Sequence, residues 1–173
     1  MSERIISVSG LRGLIGEQLT PIVAANYIAA LASSLPANGQ VVLGRDGRAS
    51  GSMLSNVVAA TLNAHGLDCL YLDVASTPTV GVEVRERKAI AGIQISASHN
   101  PKQYNGLKLF GSNGRVLPKA DGEKVLQGYR SGASKWVDVD QLGRSEPVED
   151  TTSAHLKLVL DTVDVETIRS KQF

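Results

Sequence analysis

A serine hydroxyl set among cations is the chemistry that stands out in this sequence. Ser98 lies in Ser96-Ala97-Ser98-His99-Asn100-Pro101, followed closely by Tyr104-Asn105-Gly106-Leu107-Lys108. Pro101 forbids a helix through the segment, and Asn100, Asn105 and Gly106 set turns, so the hydroxyl is presented rather than packed. Two chemistries use such a serine. A hydrolase needs a base oriented by an acid and usually a G-x-S-x-G elbow. Ala97-Ser98-His99 offers neither, because adjacent side chains do not normally face each other. A serine that carries a phosphoryl group needs cations around it instead, since phosphoserine holds a charge of about −1.5 to −2 and three strong acceptor oxygens. Arg12, His99, Lys102 and Lys108 can supply them.

Two further loops bear on the same chemistry. Ser9-Gly10-Leu11-Arg12-Gly13-Leu14-Ile15-Gly16 is Gly-rich but spaced G-x-x-G-x-x-G, and the next helix waits until Pro21. A dinucleotide fingerprint needs G-x-G-x-x-G running straight into a helix, and there is no Walker A sequence either. In Gly44-Arg45-Asp46-Gly47-Arg48 the two arginines flank an aspartate, which leaves open a loop-bracing salt bridge or a contact to substrate.

The elements that must position these loops alternate between strand and helix, the signature of an α/β layer architecture. Apolar runs at 5–8, 41–43, 69–74 and 89–95 read as strands, with 107–110 as a candidate fifth. Thr20-Pro21 caps and opens a helix that buries Ala24, Ile28, Leu31 and Leu35 and ends before Asn38-Gly39. A second helix starts at Ser50, buries Leu54, Val57, Val58 and Leu62, and stops at Gly66 in a left-handed cap. A third begins at Thr77-Pro78 and a fourth near Pro118. The expected fold is a three-layer α/β/α sandwich around a mixed, mostly parallel, four-stranded sheet. Its carboxyl edge gathers the three loops, where open α/β sheets bind ligands. Residues 1–136 form that domain. Residues 137–173 read as an exit: a polar loop or weak strand, then a helix capped by Thr152 or Ser153, with Leu156, Val159, Leu160 and Val163 on one stripe and a last turn at 165–169.

Composition narrows the function. A chain of 173 residues is one domain or one with an appendage, and at this size about 70% of the unfolded surface is buried, so no disulfide or metal staple is required. Hydrophobic residues at 42% and charged residues at 20% exclude disordered and fibrous classes. Net charge is +1 and the seven aromatics are not interleaved with basic runs, so nucleic acid is not an expected partner. No membrane span or signal-peptide core is visible, which gives a soluble, cytoplasmic expectation. The single Cys69 lies in an apolar run and reads as a buried thiol. Residues 1–136 carry 14 Lys plus Arg against 9 Asp plus Glu, and residues 137–173 carry 4 against 8, so the cationic first part suits an anionic ligand. Asp138, Asp140, Gly143 and Glu149 imitate part of an EF-hand, but Leu142 stands at a ligand position and Pro147 interrupts the loop.

The serine segment resembles the active-site loop of the α-D-phosphohexomutases, the phosphoglucomutase and phosphomannomutase superfamily. Ser9 to Gly13, Gly44 to Arg48 and Thr77-Pro78-Thr79 are similar to three more of its motifs, in the family's order, and Val163 to Ile168 resembles its passage into a second domain. Ser96 stands where Thr is commoner, and Gly47 is a departure within the arginine loop. The resemblance implies an isomerase that interconverts hexose 1-phosphate and hexose 6-phosphate through a phosphoserine and a bisphosphorylated sugar. It makes Ser98 the phosphorylated residue and, through its phosphate, a Mg²⁺ ligand. Lys108 becomes a general acid or base, Arg12 and His99 become supporting catalytic groups, and Arg12 and Lys108 contact the phosphosugar. The remaining Mg²⁺ ligands, the sugar-specificity loop and the distal phosphate site belong to further domains of the same polypeptide, so the isolated chain is expected to be inactive. Glucose, mannose and glucosamine enzymes all share these motifs. A non-catalytic phosphosugar-binding module that keeps the serine loop is the alternative.

Overall fold

Alternation along one strand sets the layers. Between Gln40 and Arg45, Val41 and Leu43 enter one apolar cluster and Val42 enters another, as period-two side chains of a strand covered on both faces must. The computed structural model describes residues 5–7, 10–132 and 134–171, without the side chains of Ile5 and Ile6. Val8 and Ser9, the expected end of the first strand and start of the Gly-rich loop, lie outside the described residues, as does Phe173.

The strands are β1 (Ile5–Ser7), β2 (Gly10–Leu14), β3 (Gln40–Arg45), β4 (Asp68–Val74), β5 (Ala91–Ile95), β6 (Tyr104–Gly111) and β7 (Ser145–Pro147). The helices are α1 (Pro21–Ser34), α2 (Gly51–Asn63), α3 (Thr77–Glu86), α4 (Lys119–Ser131), α5 (Ser153–Leu160) and α6 (Val165–Ser170). One sheet holds all the strands in the order β1-β2-β6-β5-β3-β4-β7. The α/β/α sandwich with a mixed sheet stands, but among the described residues the sheet has seven strands where four were expected. The additions have physical causes. The Gly-rich segment pairs with β6 as β2, its glycines allowing close backbone approach, and the candidate fifth strand is β6 itself. Polar β7, with Pro147 at its end, is an edge strand, where proline is tolerated. β6 runs antiparallel to both β2 and β5, and β1 antiparallel to β2, so half the pairings are antiparallel while β2, β3, β4, β5 and β7 point one way.

The larger cluster joins α1, α2 and α4 to one face through Leu31, Leu54, Leu62, Val125, Ile93 and Leu109. Tyr27 of α1 and Tyr129 of α4 meet edge to face at 5.8 Å, a favoured aromatic geometry. The smaller cluster joins α3 to the other face through Val42, Leu72, Val80, Val84 and Phe110. Thr20 caps α1 by accepting from the Val23 amide at 3.3 Å, and Gly66 takes a left-handed φ of +75° after α2, as the residue types demand. Cys69 is fully buried, and burial pushes its thiol up to about 12.

Residues 137–148 run along the end of α2 and then the sheet edge, with Val137 and Gly143 donating to the Ala64 and Asn63 carbonyls and Val148 to that of Tyr71. Thr152 stands at the N-cap position of α5, as expected, but its side chain makes no capping bond. Asp150, not Thr152 or Ser153, accepts from the Thr152 and Ser153 amides, both at 3.0 Å, and those bonds hold its carboxyl below the usual aspartate range. His155 Nδ1 lies 2.9 Å from Thr79 Oγ1, tying α5 to α3. Leu156, Val159, Leu160 and Val163 stay 43–50% exposed. Among the described residues no helix is long and apolar enough to cross a membrane.

Candidate active site around the serine loop

The register of β2, β6 and β5 builds the floor of the site. Arg12 stands opposite Gly106, and Lys108 stands between Gly10 on one side and Gln94 on the other. Paired residues share a face, so Arg12 and Lys108 project from the same side of the sheet. α3 covers that side over β3 and β5. Beyond it lies an open cavity of about 190 Å³, lined by Ser7, Gly10, Leu11, Arg12, Ser96, Leu107 and Lys108. Gly106 is required there: a Cβ would stand 2.7 Å from the Leu11 carbonyl oxygen and 3.0 Å from that of Ser96. Only a glycine lets β2 and the start of the serine loop flank β6 this closely.

The serine loop leaves β5 where the Ser96 amide donates to the Gly106 carbonyl at 3.0 Å. Ser96 Oγ then accepts from the Ser98 amide at 3.0 Å, an ST-type turn. Ser98 is exposed and left-handed, with φ +56°, an uncommon conformation for a residue with a Cβ. That backbone turns Ser98 Oγ to within 3.4 Å of His99 Nδ1, so the adjacent pair does meet, contrary to the sequence expectation. Among the described residues no carboxylate is bonded to His99, so the acid that would orient it as a hydrolase base is missing.

The structure brings Arg12, Lys108 and Ser96 into one cavity, with Ser98 and His99 on the loop that Ser96 opens. Lys102 is not in that cavity. It is exposed and lines a second, wider opening of about 800 Å³ with Asp46, Arg48, Ser50, Asn100 and Gln103. The arginine loop divides its work. Arg45 pairs with Asp73 at 2.7 Å and with the Tyr71 hydroxyl, and Arg48 pairs with Asp46 at 3.1 Å. Gly47 faces open space, so its departure from the family pattern alters no packing.

Sequence reasoning missed two supports of the loop. Arg48 donates to the carbonyls of Ser98, Asn100, Pro101 and Tyr104. Asn105, fully buried, donates to Ser50 Oγ at 2.9 Å, so the Ser50 hydroxyl braces the loop instead of capping α2. The one local signal was Asp46 two residues before Arg48, an Asx-turn spacing, and Asp46 Oδ1 does accept the Arg48 amide at 3.0 Å. Among the described residues no group of three or more His, Cys, Asp or Glu converges as a metal cage.

Comparison with known proteins agrees with this layout. The family model described as phosphoglucomutase/phosphomannomutase, alpha/beta/alpha domain I, matches residues 3–135. A probable phosphoglucosamine mutase of Methanosphaera stadtmanae is 42% identical over 125 residues, 72% of this chain and 27% of the relative. One from Methanothermobacter thermautotrophicus is 36% identical over 163 residues, 94% of this chain and 36% of the relative. The chain therefore spans about a third of the length of the curated relatives it matches. In fold it is similar to a putative phosphomannomutase from Thermus thermophilus, with a TM-score of 0.82 at 23% identity, covering 95% of this chain and 37% of that one.

Proposed function

Because the chain belongs to the phosphoglucomutase/phosphomannomutase family as its domain I, we propose that it is the serine-bearing domain of a phosphohexomutase. The observation that carries the reading is Ser98, an exposed residue in the left-handed conformation on the loop whose Ser96 lines a cavity with Arg12 and Lys108. In the forward step the phosphoryl group leaves Ser98 Oγ and bonds to a sugar hydroxyl, whose proton passes to the Lys108 amine acting as base. Ser98 Oγ, the leaving group, takes up a proton from solvent as its bond to phosphorus breaks, and gives a proton up again when it attacks the other phosphate in the reverse transfer. Arg12, and Lys108 once it holds the proton, would stabilise charge on the equatorial oxygens, the main contribution a protein makes to this reaction; their shared cavity, which Ser96 of the serine loop also lines, supports that role. His99, 3.4 Å from the hydroxyl, supports it.

The Mg²⁺ that the resemblance implies fits these residues only through a phosphate on Ser98. Asp46, which lines an opening with Asn100 and Lys102 of the serine segment, already accepts from Arg48 with both oxygens, and Mg²⁺ demands near-octahedral oxygen coordination. We therefore place its other ligands, and the grip on the sugar's distal phosphate, outside this chain, with residues 137–173 leading toward that part. The names of the relatives make a hexosamine phosphate the first substrate to try.

The test joins residues 1–171 to the part of the Methanothermobacter relative that follows its matched segment. The fusion should interconvert glucosamine 1-phosphate and 6-phosphate, Ser98→Ala should abolish this without unfolding it, and the 173-residue chain alone should be inactive. Turnover retained by a folded Ser98→Ala fusion would refute the phosphoserine, and turnover by the chain alone would refute the division of labour.

A further inference from the structure

A guanidinium has five N–H donors, and in Arg48 every one is engaged. Nε donates to Asp46 Oδ2 at 3.1 Å. Nη1 donates to the Pro101 and Tyr104 carbonyls at 2.8 and 3.0 Å, and Nη2 to those of Ser98 and Asn100 at 3.0 and 2.7 Å. The side chain is only 15% exposed. Its origin is fixed independently: the Asp46 amide donates to the Ile95 carbonyl at the end of β5, and Asp46 Oδ1 holds the Arg48 amide. The guanidinium thus bridges a rigid strand end to four carbonyls spread across the serine loop.

We infer that Arg48 is a positioning residue for Ser98: it clamps the loop so that the left-handed backbone at 98 persists and the hydroxyl stays aimed. The inference rests on the phosphoserine reading above. With no donor free, Arg48 cannot bind a substrate phosphate, which decides between the two roles that the sequence left open. The left-handed φ of Ser98 is disfavoured for a residue with a Cβ, and the carbonyl of that same residue is one of the four clamped. A planar fork is needed to reach carbonyls in two pairs; a lysine offers three donors at a single point and cannot reproduce it.

The test has two arms. In the full 173-residue chain, Arg48→Ala and Arg48→Lys should keep a cooperative thermal transition, while the amides of Ser98, Asn100 and Tyr104, hydrogen-bonded within the loop, lose at least about tenfold of their exchange protection. In the active fusion both variants should lose about 100-fold in kcat, the scale of an ångström-sized misplacement, with KM within about twofold, the pattern of a group that acts only in the transition state. Asp46→Asn, which weakens only the Nε contact, should fall between. A raised KM with unchanged kcat would make Arg48 a substrate contact, full rescue by lysine would show that only charge matters, and unchanged exchange would remove the clamp; each overturns the inference. If Ser98→Ala leaves the fusion active, the phosphoserine reading fails, and the exchange arm still judges the clamp by itself.

Discussion

Replacing Gly106 by alanine should separate the strands that build the site. The added methyl would meet the Leu11 carbonyl oxygen at 2.7 Å, the Ser96 carbonyl oxygen at 3.0 Å and the Arg12 Cα at 3.5 Å. All three are backbone, so no side chain can swing away. Ordinary contact begins near 3.4 Å, so β2 must retreat by more than half an ångström. It carries Arg12 with it, because Arg12 is paired to Gly106. Overpacking of this kind costs about 1–3 kcal/mol, and lengthened bonds between β2 and β6 add about 0.5–1.5 kcal/mol each. A total near 3 kcal/mol is expected, which for a domain of this size lowers Tm by roughly 6–12 °C. Gly47→Ala is the control, since its Cβ enters open space, and surface changes of that kind stay within about 0.5 kcal/mol. Calorimetry and urea titration of the two variants measure the difference. A Gly106→Ala chain as stable as Gly47→Ala would refute the claim that this glycine sets the spacing of Arg12 and the serine loop.

Three further outcomes follow from the same geometry. Lys108→Met in the fusion should lower kcat far more than it raises KM if the amine moves a proton; an effect confined to KM would reduce Lys108 to a phosphate contact. Cys69, fully buried and with its thiol pushed up to about 12, should resist a thiol-disulfide reagent at pH 8 in the native chain and react fully in denaturant, because only the thiolate attacks; rapid native reaction would contradict the burial. The exposed stripe of Leu156, Val159, Leu160 and Val163 should give weak, concentration-dependent self-association in sedimentation, relieved by Leu160→Ser; identical behaviour of the variant would show that the stripe is not the contact.

Much of the fold is written locally. Thr20-Pro21 and Gly66 act as cap and stop because their backbone preferences need no distant partner, and the alternation of Val41, Val42 and Leu43 reports a strand covered on both faces whichever helices cover it. The largest misreading lies where a distant partner decides. Residues 10–14 hold glycines that weaken strand propensity, and only pairing with β6, nearly a hundred residues on, makes them β2. At α5 the N-cap position Thr152 was legible, but the accepting oxygen comes from Asp150, whose Oδ1 takes both the Thr152 and Ser153 amides. In the candidate site, Ser98, Lys108 and Arg12 were legible as residue types in motifs, but the contact of Ser98 with His99 depends on a φ of +56°, which no residue preference signals for serine. The clamp of Arg48 was hidden by distance, since its carbonyl partners lie 50 to 56 residues away.

The central claim is that Ser98 carries the phosphoryl group, and covalent labelling tests it most directly. The active fusion, incubated with a 1,6-bisphosphorylated hexosamine and Mg²⁺ and quenched in acid, should gain one phosphoryl group by intact mass. Peptide mapping should place that group on Ser98, and excess hexosamine monophosphate should discharge it. A fusion that turns over while Ser98 stays unmodified at every time point, or that carries the phosphoryl group on another residue, would contradict the account.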